Sequence, residues 1–396
     1  MKIKFVYFSH QTLQVPRVAR QCIVALCNAI CLFGIDTDLV SFRTFIHKDE
    51  QVFPSFNKLY GVDSELKNKS FKIIGHDNGG EINDIQRLIV YFFYLIKYFF
   101  LLEYRKYEFT IFSSRNNSIL KLLNLFKLFF NKKMIVIADV HGIPNNISVN
   151  RKVDGNMCIS NSLANEIKKR FSIETSKITF AHGGVDVKKY KTLHTSKYNI
   201  RKELGLPTNK KIICYAGKVY YRYDEVGYLV EASKYLDSNS IILIIGGRAD
   251  QVEKWINECK KHKIEKVIFK SFVPPLDIVK YLKCADLLVM YYSPSELNEY
   301  RSPAKLFDYL ISGTPLIAAK FKSTEEIIID NENGFLVEPY KPELLGHKLT
   351  ELLNSKIDFN NVSSKAIETA KSYTWERRAS AFISYANALY SNKVNN

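Results

Sequence analysis

The sequence predicts an α/β fold built from two doubly wound domains. Three observations support this prediction. A chain of 396 residues is long enough for two or three domains, and its hydrophobic content of 46% suffices for more than one core. Strand, loop, helix and strand patterns open the chain, and the same alternation returns more clearly in the second half. The glycines of His182-Gly183-Gly184 permit a sharp turn where the first domain would lead into the second.

In the first half, short apolar runs predict strands and longer periodic runs predict helices. The predicted strands are 2–8, 37–42, 71–75, 109–113, 134–138, 157–160 and 178–180. Helices are expected over 17–33, on both sides of the strand at 109–113, and over 163–171 with Ser162 as N-cap. We interpret Asp36-Thr37-Asp38, which leads into the second strand, as a turn rather than a metal site.

The second half repeats the pattern. Its predicted strands are 211–216, 241–245, 267–269, 286–291 and 316–319, and NENGFLVEP predicts a further turn and strand. The predicted helices are 226–236, 255–262, 276–284, a helix after Ser302, 324–329, 342–354 and 375–390.

The charge is strongly positive and unevenly spread. The net charge is +17, of which +13 falls in residues 1–200 and +4 in residues 201–396. This asymmetry favours an anionic partner of the first domain, such as a membrane surface, a lipid-linked phosphate or nucleic acid. A lysine-rich composition from an AT-rich genome would explain the number of lysines but not their distribution. Seven cysteines without metal-ligand spacing, and no secretory signal at the start, favour a reducing compartment.

Two apolar segments of the first half allow two interpretations. LIVYFFYLIKYFFLL, residues 88–102, is shorter than the roughly 20 residues that span a bilayer, and Lys97 interrupts it. ILKLLNLFKLFFNKK, residues 119–133, places Lys121 and Lys127 among leucines and phenylalanines. Such helices lie either on an anionic membrane surface or on the sheet with their lysines outward.

The stretch EYRSPAKLFDYLISGTPLIA, residues 299–318, is the most informative part of the chain. Ser302 is the expected N-cap, Pro303 the first helical position, and Gly313 the helix end. Such a helix start favours an anion, and Lys305 adds a cation in its first turn. Asp308, one turn further on, can accept hydrogen bonds from the two hydroxyls of a ribose. The stretch is either a nucleotide-diphosphate site or an ordinary capped helix before a strand.

Two further loops follow strand ends, where α/β sheets bind ligands. Gly217 permits close approach of the backbone, and Lys218 and Arg222 could neutralise a diphosphate; the alternative is a solvent-exposed basic loop. His141 follows the strand at 134–138 and is either a ligand contact or a loop histidine without a ligand.

Six segments, in this order, resemble the GT-B glycosyltransferases of the large retaining family four, which builds bacterial surface polysaccharides. They are HGGVDVKKY, YAGKVYYRYDEVGYLVEA, SFVPPLDIVKYLKCADLLVMYYS, SPAKLFDYLISGTPLIA, NGFLVEP and YTWERRA. The resemblance covers about residues 135–390 well and the first 130 residues only in their α/β alternation.

The resemblance implies two Rossmann-like domains facing across a cleft. Residues 1–185 would bind the acceptor, residues 186–374 the nucleotide-sugar, and residues 375–396 would form a helix that crosses back to the first domain. The implied reaction is retaining transfer, of the hexosyltransferase type, from a nucleotide-diphosphate sugar to a glycan or lipid-linked acceptor in capsule, O-antigen or lipopolysaccharide synthesis. No cofactor, metal or nucleic acid is expected, and the predicted location is cytoplasmic, peripheral on the inner membrane face.

The implied site residues follow from the matched segments. At the diphosphate, the resemblance places Gly217, Lys218, Arg222, Ser302, Pro303, Ala304 and Lys305. Val273 lies in the base-binding segment, His141 resembles the histidine that reaches and orients the donor sugar, and Asp308 replaces the second glutamate of the family's pair. The first glutamate position is occupied by Tyr300, so the neighbouring Glu299 is predicted to contact the donor sugar.

Rival functions remain open from the sequence. A nucleotide-sugar epimerase or another GT-B enzyme would share the donor segments, and so would a catalytically inactive, membrane-surface binding protein of the same fold. A basic module that binds nucleic acid without chemistry is permitted by the charge, although no nucleic-acid motif supports it.

Overall fold

The computed structural model describes residues 2–13, 18–44, 62, 64, 66–73, 84–144, 146–190, 195–219, 225–274 and 277–395. The chain divides into two compact units. Unit 1 comprises Met1–Gly183 together with Trp375–Asn396, and unit 2 comprises Gly184–Thr374. Each unit contains one parallel β-sheet, which confirms the predicted α/β class with two doubly wound sheets.

The sheet of unit 1 has seven strands in the order β3-β2-β1-β4-β5-β6-β7. The strands are β1 (Ile3–Thr12), β2 (Asp36–Thr44), β3 (Lys67–Ile73), β4 (Phe109–Ser114), β5 (Met134–Val140), β6 (Gly155–Cys158) and β7 (Ile178–Phe180). The strand order reverses between β1 and β4, the position at which doubly wound sheets bind ligands.

Within the residues that the structure describes, six helices belong to unit 1. They are α1 (Val18–Leu32), α2 (Asp84–Phe100), α3 (Asn117–Phe130), α4 (Ile147–Lys152), α5 (Asn161–Phe171) and the terminal helix, which is labelled α14 (Trp375–Asn395) because it comes last in the chain. The N-cap of α5 is Ser160, whose side chain accepts from the Leu163 amide, so the predicted cap at Ser162 is wrong.

The terminal helix packs on the sheet of unit 1 through a regular apolar stripe. Ala379, Phe382 and Ala386 recur at helical spacing and are fully buried. Phe382 meets Phe5 of β1 edge to face with ring centroids 5.6 Å apart. The last 21-residue helix of the chain is therefore part of the first unit's core.

Unit 2 has a six-stranded sheet in the order β10-β9-β8-β11-β12-β13. The strands are β8 (Lys211–Ala216), β9 (Ser240–Ile245), β10 (Val267–Lys270), β11 (Leu287–Met290), β12 (Leu316–Ala319) and β13 (Phe335–Val337). The order again reverses once, between β8 and β11. The central strands β8, β9 and β11 consist almost entirely of buried apolar residues, as expected for a sheet covered on both faces.

The helices of unit 2 are α6 (Lys197–Glu203), α7 (Glu225–Ala232), α8 (Ala249–Lys261), α9 (Ile278–Cys284), α10 (Ala304–Ser312), α11 (Lys322–Glu325), α12 (Pro342–Asn354) and α13 (Phe359–Lys371). The helix predicted over 324–329 is the single turn α11, and the sequence did not predict α6 or α13. Gly313 ends α10 in the left-handed conformation, with φ 73°, as predicted.

The interpretation of Asp36-Thr37-Asp38 as a turn is wrong. Both aspartates lie on strand β2, and Lys4 Nζ on the neighbouring β1 is 3.0 Å from a carboxylate oxygen of each. Tyr94 of α2 donates to Asp38 at 2.7 Å. Polar residues at a strand start predicted a turn, but cross-strand pairing makes their burial favourable.

Candidate functional site

A lysine of unit 2 lies where the strand order reverses. The Lys305 ammonium is 4.3 Å from the ring centroid of Tyr215, near the end of β8, and 5.0 Å from that of Tyr292, which follows β11. Both rings are almost completely buried. Such cation–π contacts hold an ammonium group in place, and open α/β sheets bind their ligands at this reversal. Lys305 is therefore placed where an anionic ligand of this unit is expected.

The start of α10 differs from the prediction. Its N-cap is Pro303, whose backbone is extended (φ −74°, ψ 129°), and no side chain caps the helix there. The predicted cap Ser302 lies one residue too early, because Pro303 is itself extended and the first helical residue is Ala304. A helix start without a side-chain cap leaves its backbone N–H groups to other partners, and the helix dipole favours an anion among them.

The Tyr215 hydroxyl joins Lys305 to the loop after β8. Lys305 Nζ donates to this hydroxyl at 3.3 Å, and the hydroxyl donates to the Lys218 carbonyl at 3.2 Å. A Cβ at Gly217 would lie 2.6 Å from the same hydroxyl, so glycine lets the loop fold back over the ring. The structure thus brings Gly217, Lys218 and Lys305 together. Arg222 lies outside the described residues.

A second glycine loop contacts the first, and no role for it was predicted from the sequence. Gly246 follows β9 with φ 132°, and a Cβ there would lie 1.9 Å from the Gly217 carbonyl oxygen. A Cβ at Gly247, whose φ is 73°, would lie 2.7 Å from the Cβ of Val219. The close packing of the loops after β8 and β9 therefore depends on glycines, which have no side chains. The sequence feature that could have indicated this contact is the Gly-Gly pair at the carboxyl end of a predicted strand.

Asp308 lies one turn after Lys305 and is held by a tyrosine. The Tyr190 hydroxyl donates to Asp308 Oδ1 at 2.8 Å from the short helical segment Val187–Tyr190. Burial raises the pKa of the Asp308 carboxyl to about 6. The contact that the sequence predicts, to ribose hydroxyls, stays a prediction, and Tyr190 is a partner that the sequence did not indicate.

Glu299 makes a local contact. Its carboxylate accepts from the backbone N–H of Lys322, at the start of α11, at 3.0 Å. Tyr300, which occupies the family's first glutamate position, is buried. The predicted contact of Glu299 with a donor sugar stays a prediction.

The other predicted nucleotide contacts are half-buried. Ser302 and Ala304 flank the N-cap Pro303 of α10, and Val273 lies in the loop after β10, where it packs against the core of unit 2. Their roles toward a nucleotide stay predictions.

In unit 1, the buried carboxylate of Asp139 accepts four hydrogen bonds. Tyr7 and Arg115 donate to Oδ2 at 3.0 and 2.7 Å, and Arg378 and His141 lie 2.7 and 3.1 Å from Oδ1. Burial alone would raise the pKa of this carboxyl, but Arg115, His141 and Arg378 hold it well below its usual range. Two guanidinium groups against one carboxylate leave the cluster with a net positive charge.

His141 is oriented by this cluster. Its Nε2 faces Asp139, and its side chain remains 30% exposed. Burial and the neighbouring Arg115 lower the pKa of His141 to about 4, so the imidazole is neutral near pH 7. Because Nε2 faces a carboxylate, we assign the proton to Nε2 and an acceptor role to Nδ1. A neutral imidazole of low basicity is suited to accept a hydrogen bond from a hydroxyl group.

The sequence did not indicate the residues that surround His141. Arg378 lies in the first turn of the terminal helix, and it also donates to the backbone carbonyls of Ala181 and His182. Arg115 follows β4, and Tyr7 lies on β1. These residues meet because β1, β4 and β5 are neighbours in the sheet, which no local sequence pattern reveals.

Comparison with known proteins gives a family match for unit 2. Residues 196–372 match the family model Glycosyl transferases group 1. An uncharacterized glycosyltransferase of Methanocaldococcus jannaschii is 24% identical over 229 residues, 56% of this chain and 56% of that protein. The D-inositol 3-phosphate glycosyltransferase of Corynebacterium glutamicum is 23% identical over 239 residues, 58% of this chain and 56% of that protein. The matches thus span just over half the length of these relatives.

Solved structures are similar over nearly the whole chain. Anabaena HepE in complex with UDP superposes with a TM-score of 0.72 at 13% identity, covering 96% of this chain and 99% of that one. The lipopolysaccharide outer core galactosyltransferase WaaB gives 0.67 at 14% identity, covering 99% and 100%. These likenesses confirm the GT-B fold that the sequence predicts, and the family model confirms the resemblance to group 1 glycosyltransferases.

Proposed function

We propose that this chain is a glycosyltransferase that moves a hexosyl group from a nucleotide-diphosphate sugar to a glycan or lipid-linked acceptor, with retention at the anomeric carbon. The observation that supports the proposal most directly is the position of Lys305. Its ammonium lies between Tyr215 and Tyr292 at the strand-order reversal, beside a helix start without a side-chain cap. This arrangement suits a diphosphate, and HepE was crystallised with UDP and with UDP-glucose.

In the proposed reaction, the leaving diphosphate gains negative charge as its bond to the sugar breaks. Lys305, the start of α10, Lys218 and Arg222 would stabilise that charge. A fixed cation needs no reorganisation during the reaction, and the Tyr215 hydroxyl fixes Lys305 before any ligand binds. This supply of positive charge is the basis for proposing that the enzyme is metal-independent.

The remaining roles concern the sugar and the ribose. Asp308 would accept hydrogen bonds from the ribose hydroxyls, and Glu299 would contact the donor sugar. His141 would orient the sugar through Nδ1, because a pKa of about 4 makes it a weak base near pH 7. Retention would follow from attack of the acceptor hydroxyl on the face that the diphosphate leaves.

The acceptor that we propose is a growing, lipid-linked glycan of capsule, O-antigen or lipopolysaccharide type. Support comes from the excess positive charge of the first 200 residues, which suits a lipid-linked phosphate. WaaB, a structural neighbour, is a lipopolysaccharide galactosyltransferase. The proposed location is the cytoplasmic face of the membrane, with peripheral attachment.

Donor binding is tested by a thermal-shift panel of UDP-, GDP-, CDP- and ADP-sugars. We expect one base family to stabilise the wild type and Lys305→Ala to lose most of that stabilisation. Lys254→Ala is the matched control, because Lys254 is an exposed lysine of α8 in the same unit. Stabilisation by none of the four families would contradict donor binding.

Chemistry is tested with the donor that binds. Incubation with a membrane lipid extract should transfer the sugar, and NMR of the product should show the anomeric configuration of the donor. An inverted product would contradict retention. Isomerised nucleotide-sugar without acceptor would favour an epimerase, whereas binding without transfer or hydrolysis would favour an inactive member of the fold. Tyr300 at the first glutamate position is the observation that keeps the inactive alternative open.

A further inference from the structure

Helix α2 of unit 1 has its more polar side inward. Tyr94 and Tyr98 are buried, and their hydroxyls meet the Asp38 carboxylate and the Thr110 hydroxyl, each at 2.7 Å. Most described side chains on the outer face, including Phe93 and Phe100, are instead apolar and exposed, and Lys97 is an exposed cation among them. This is the reverse of the usual helix on a sheet, whose outer face is polar. The outer face of α2 therefore has the composition of a surface that contacts another molecule.

Helix α3 extends this apolar surface. The Phe130 ring, at the end of α3, stacks on Phe99 of α2 with centroids 3.9 Å apart, and Phe126 meets Phe92 at 5.8 Å. Exposed apolar side chains are found on both helices and just after α2. We call the set Phe93, Ile96, Phe100, Leu101, Leu128 and Phe129 the α2–α3 face.

The α2–α3 face is as large as the largest apolar patch of a typical monomer, and such a patch is often functional. Phe93, Phe100 and Phe129 are 63%, 80% and 77% exposed. With about 200 Å² per ring, these three side chains alone place on the order of 400 Å² of apolar surface in solvent. The largest apolar patch of a typical monomer is about 300–600 Å² in total. The three aliphatic members add further apolar area to the α2–α3 face.

Basic residues are frequent in the segments that carry the face. Residues 84–133 contain nine basic and three acidic residues, a net charge of +6. Among the side chains that the structure describes here, the exposed basic ones are Lys97, Arg105, Lys106, Lys121 and Lys132. A second copy of the chain would bring two such positive faces together, which is unfavourable. A negatively charged surface would complement them.

We propose that the α2–α3 face docks on an anionic lipid bilayer, with α2 and α3 lying in the plane of the interface. Among the helices that the structure describes, none is long and apolar enough to cross a bilayer, so the contact is superficial. Apolar insertion and attraction between basic residues and anionic lipids together give stable attachment, whereas one alone is marginal. The inference rests on the proposed function for one point, that a lipid-linked acceptor would then be within reach.

Vesicle co-sedimentation tests the proposal. The probes are vesicles of phosphatidylcholine alone and of equal parts phosphatidylcholine and phosphatidylglycerol. We expect the wild type to prefer the anionic vesicles, and Phe93→Ser/Phe100→Ser/Phe129→Ser to lose at least about tenfold in affinity. The matched control is Phe272→Ser, because Phe272 is 65% exposed in unit 2. It should bind like the wild type.

Charge is tested separately. Lys97→Glu/Lys121→Glu should abolish the preference for anionic vesicles, and Lys254→Glu/Lys261→Glu, two exposed lysines of α8, should retain it. Equal binding of the wild type to both vesicle types would overturn the proposal, and so would wild-type binding by the triple serine variant. A concentration-dependent dimer that the triple variant abolishes would also overturn it, since a second copy would then cover the face.

The experiment separates this inference from the proposed function. All the substituted phenylalanines are exposed, so the triple variant should fold and retain its thermal shift with the donor sugar. Loss of vesicle binding with an intact donor shift supports the docking surface. Vesicle binding by a wild type that no nucleotide-sugar stabilises would support the docking surface and contradict the proposed function.

Discussion

Arg378 and Asp139 form a buried ion pair with 2.7 Å between Nη2 and Oδ1, although 239 residues separate them in the chain. Arg378 belongs to the terminal helix and Asp139 to strand β5, beside His141. The pair therefore ties the last helix of the chain to the histidine that the sequence predicts in the donor site. Whatever loosens the terminal helix should also disturb the orientation of His141.

Removal of Arg378 should destabilise unit 1. Arg378→Met deletes a guanidinium that is 1% exposed and deprives a fully buried carboxylate of one of its donors. Because Arg115 still neutralises this carboxylate, we expect a loss of about 1.5–3 kcal/mol in the free energy of unfolding, measured by urea denaturation. Arg377→Met is the control, because Arg377 is the exposed neighbour on the same helix turn. Similar losses in the two variants would show that Arg378 acts through the helix and not through Asp139.

The stability of unit 1 should depend on the protonation of His141. Its pKa is about 4 in the folded protein and about 6.5 in an unfolded chain. Between these values the unfolded chain binds more protons, so this contribution to stability is present above about pH 6.5 and is lost as the pH falls toward 4. We expect the urea midpoint of the wild type to fall more steeply on acidification over this range than that of His141→Gln. His347→Gln, at an exposed histidine, should follow the wild type, and parallel curves for wild type and His141→Gln would contradict the assignment.

Donor binding should depend on the protonation of Asp308. Burial raises the pKa of this carboxyl to about 6, so it becomes fully ionised only above that pH. The ionised form offers acceptors on both oxygens to ribose hydroxyls. We expect donor affinity, measured by isothermal titration calorimetry, to increase several-fold from about pH 5 to about pH 7 in the wild type. Asp308→Asn should bind weakly at both values, whereas Asp358→Asn, at the exposed N-cap of α13, should behave as wild type. A pH-independent wild type would argue against a ribose contact.

The glycine after β9 should tolerate no side chain. Gly246→Ala would place Cβ 1.9 Å from the Gly217 carbonyl oxygen at a φ of 132°. We expect a loss of at least about 3 kcal/mol in the free energy of unfolding, and weaker donor binding, because the Gly217 loop must move. Gly205→Ala also has positive φ but open space around the Cβ, so it should cost only about 1 kcal/mol. Thermal denaturation of the two variants tests this comparison. Equal losses of stability would mean that the positive φ alone causes the effect.

The sequence predicted most strands well because a buried strand is a local run of apolar residues. The strands predicted at 211–216, 178–180 and 316–319 have the same first and last residues in the structure. Helix ends were less accurate where a single residue decides them. Ser302 and Ser162 each looked like a cap, but Pro303 and Ser160 occupy those positions because capping depends on backbone geometry that composition does not fix.

The sequence by itself determined the alternation of strands and helices, the two-domain organisation and the segment that presents Lys305. These features depend on residues that are neighbours along the chain, so periodic patterns in the sequence are enough to predict them. Only the tertiary structure decided that Tyr215 holds Lys305, that Tyr190 holds Asp308, and that Arg115 and Arg378 surround Asp139. Such contacts join residues far apart in the chain, and the order of strands in a sheet, not local composition, brings them together.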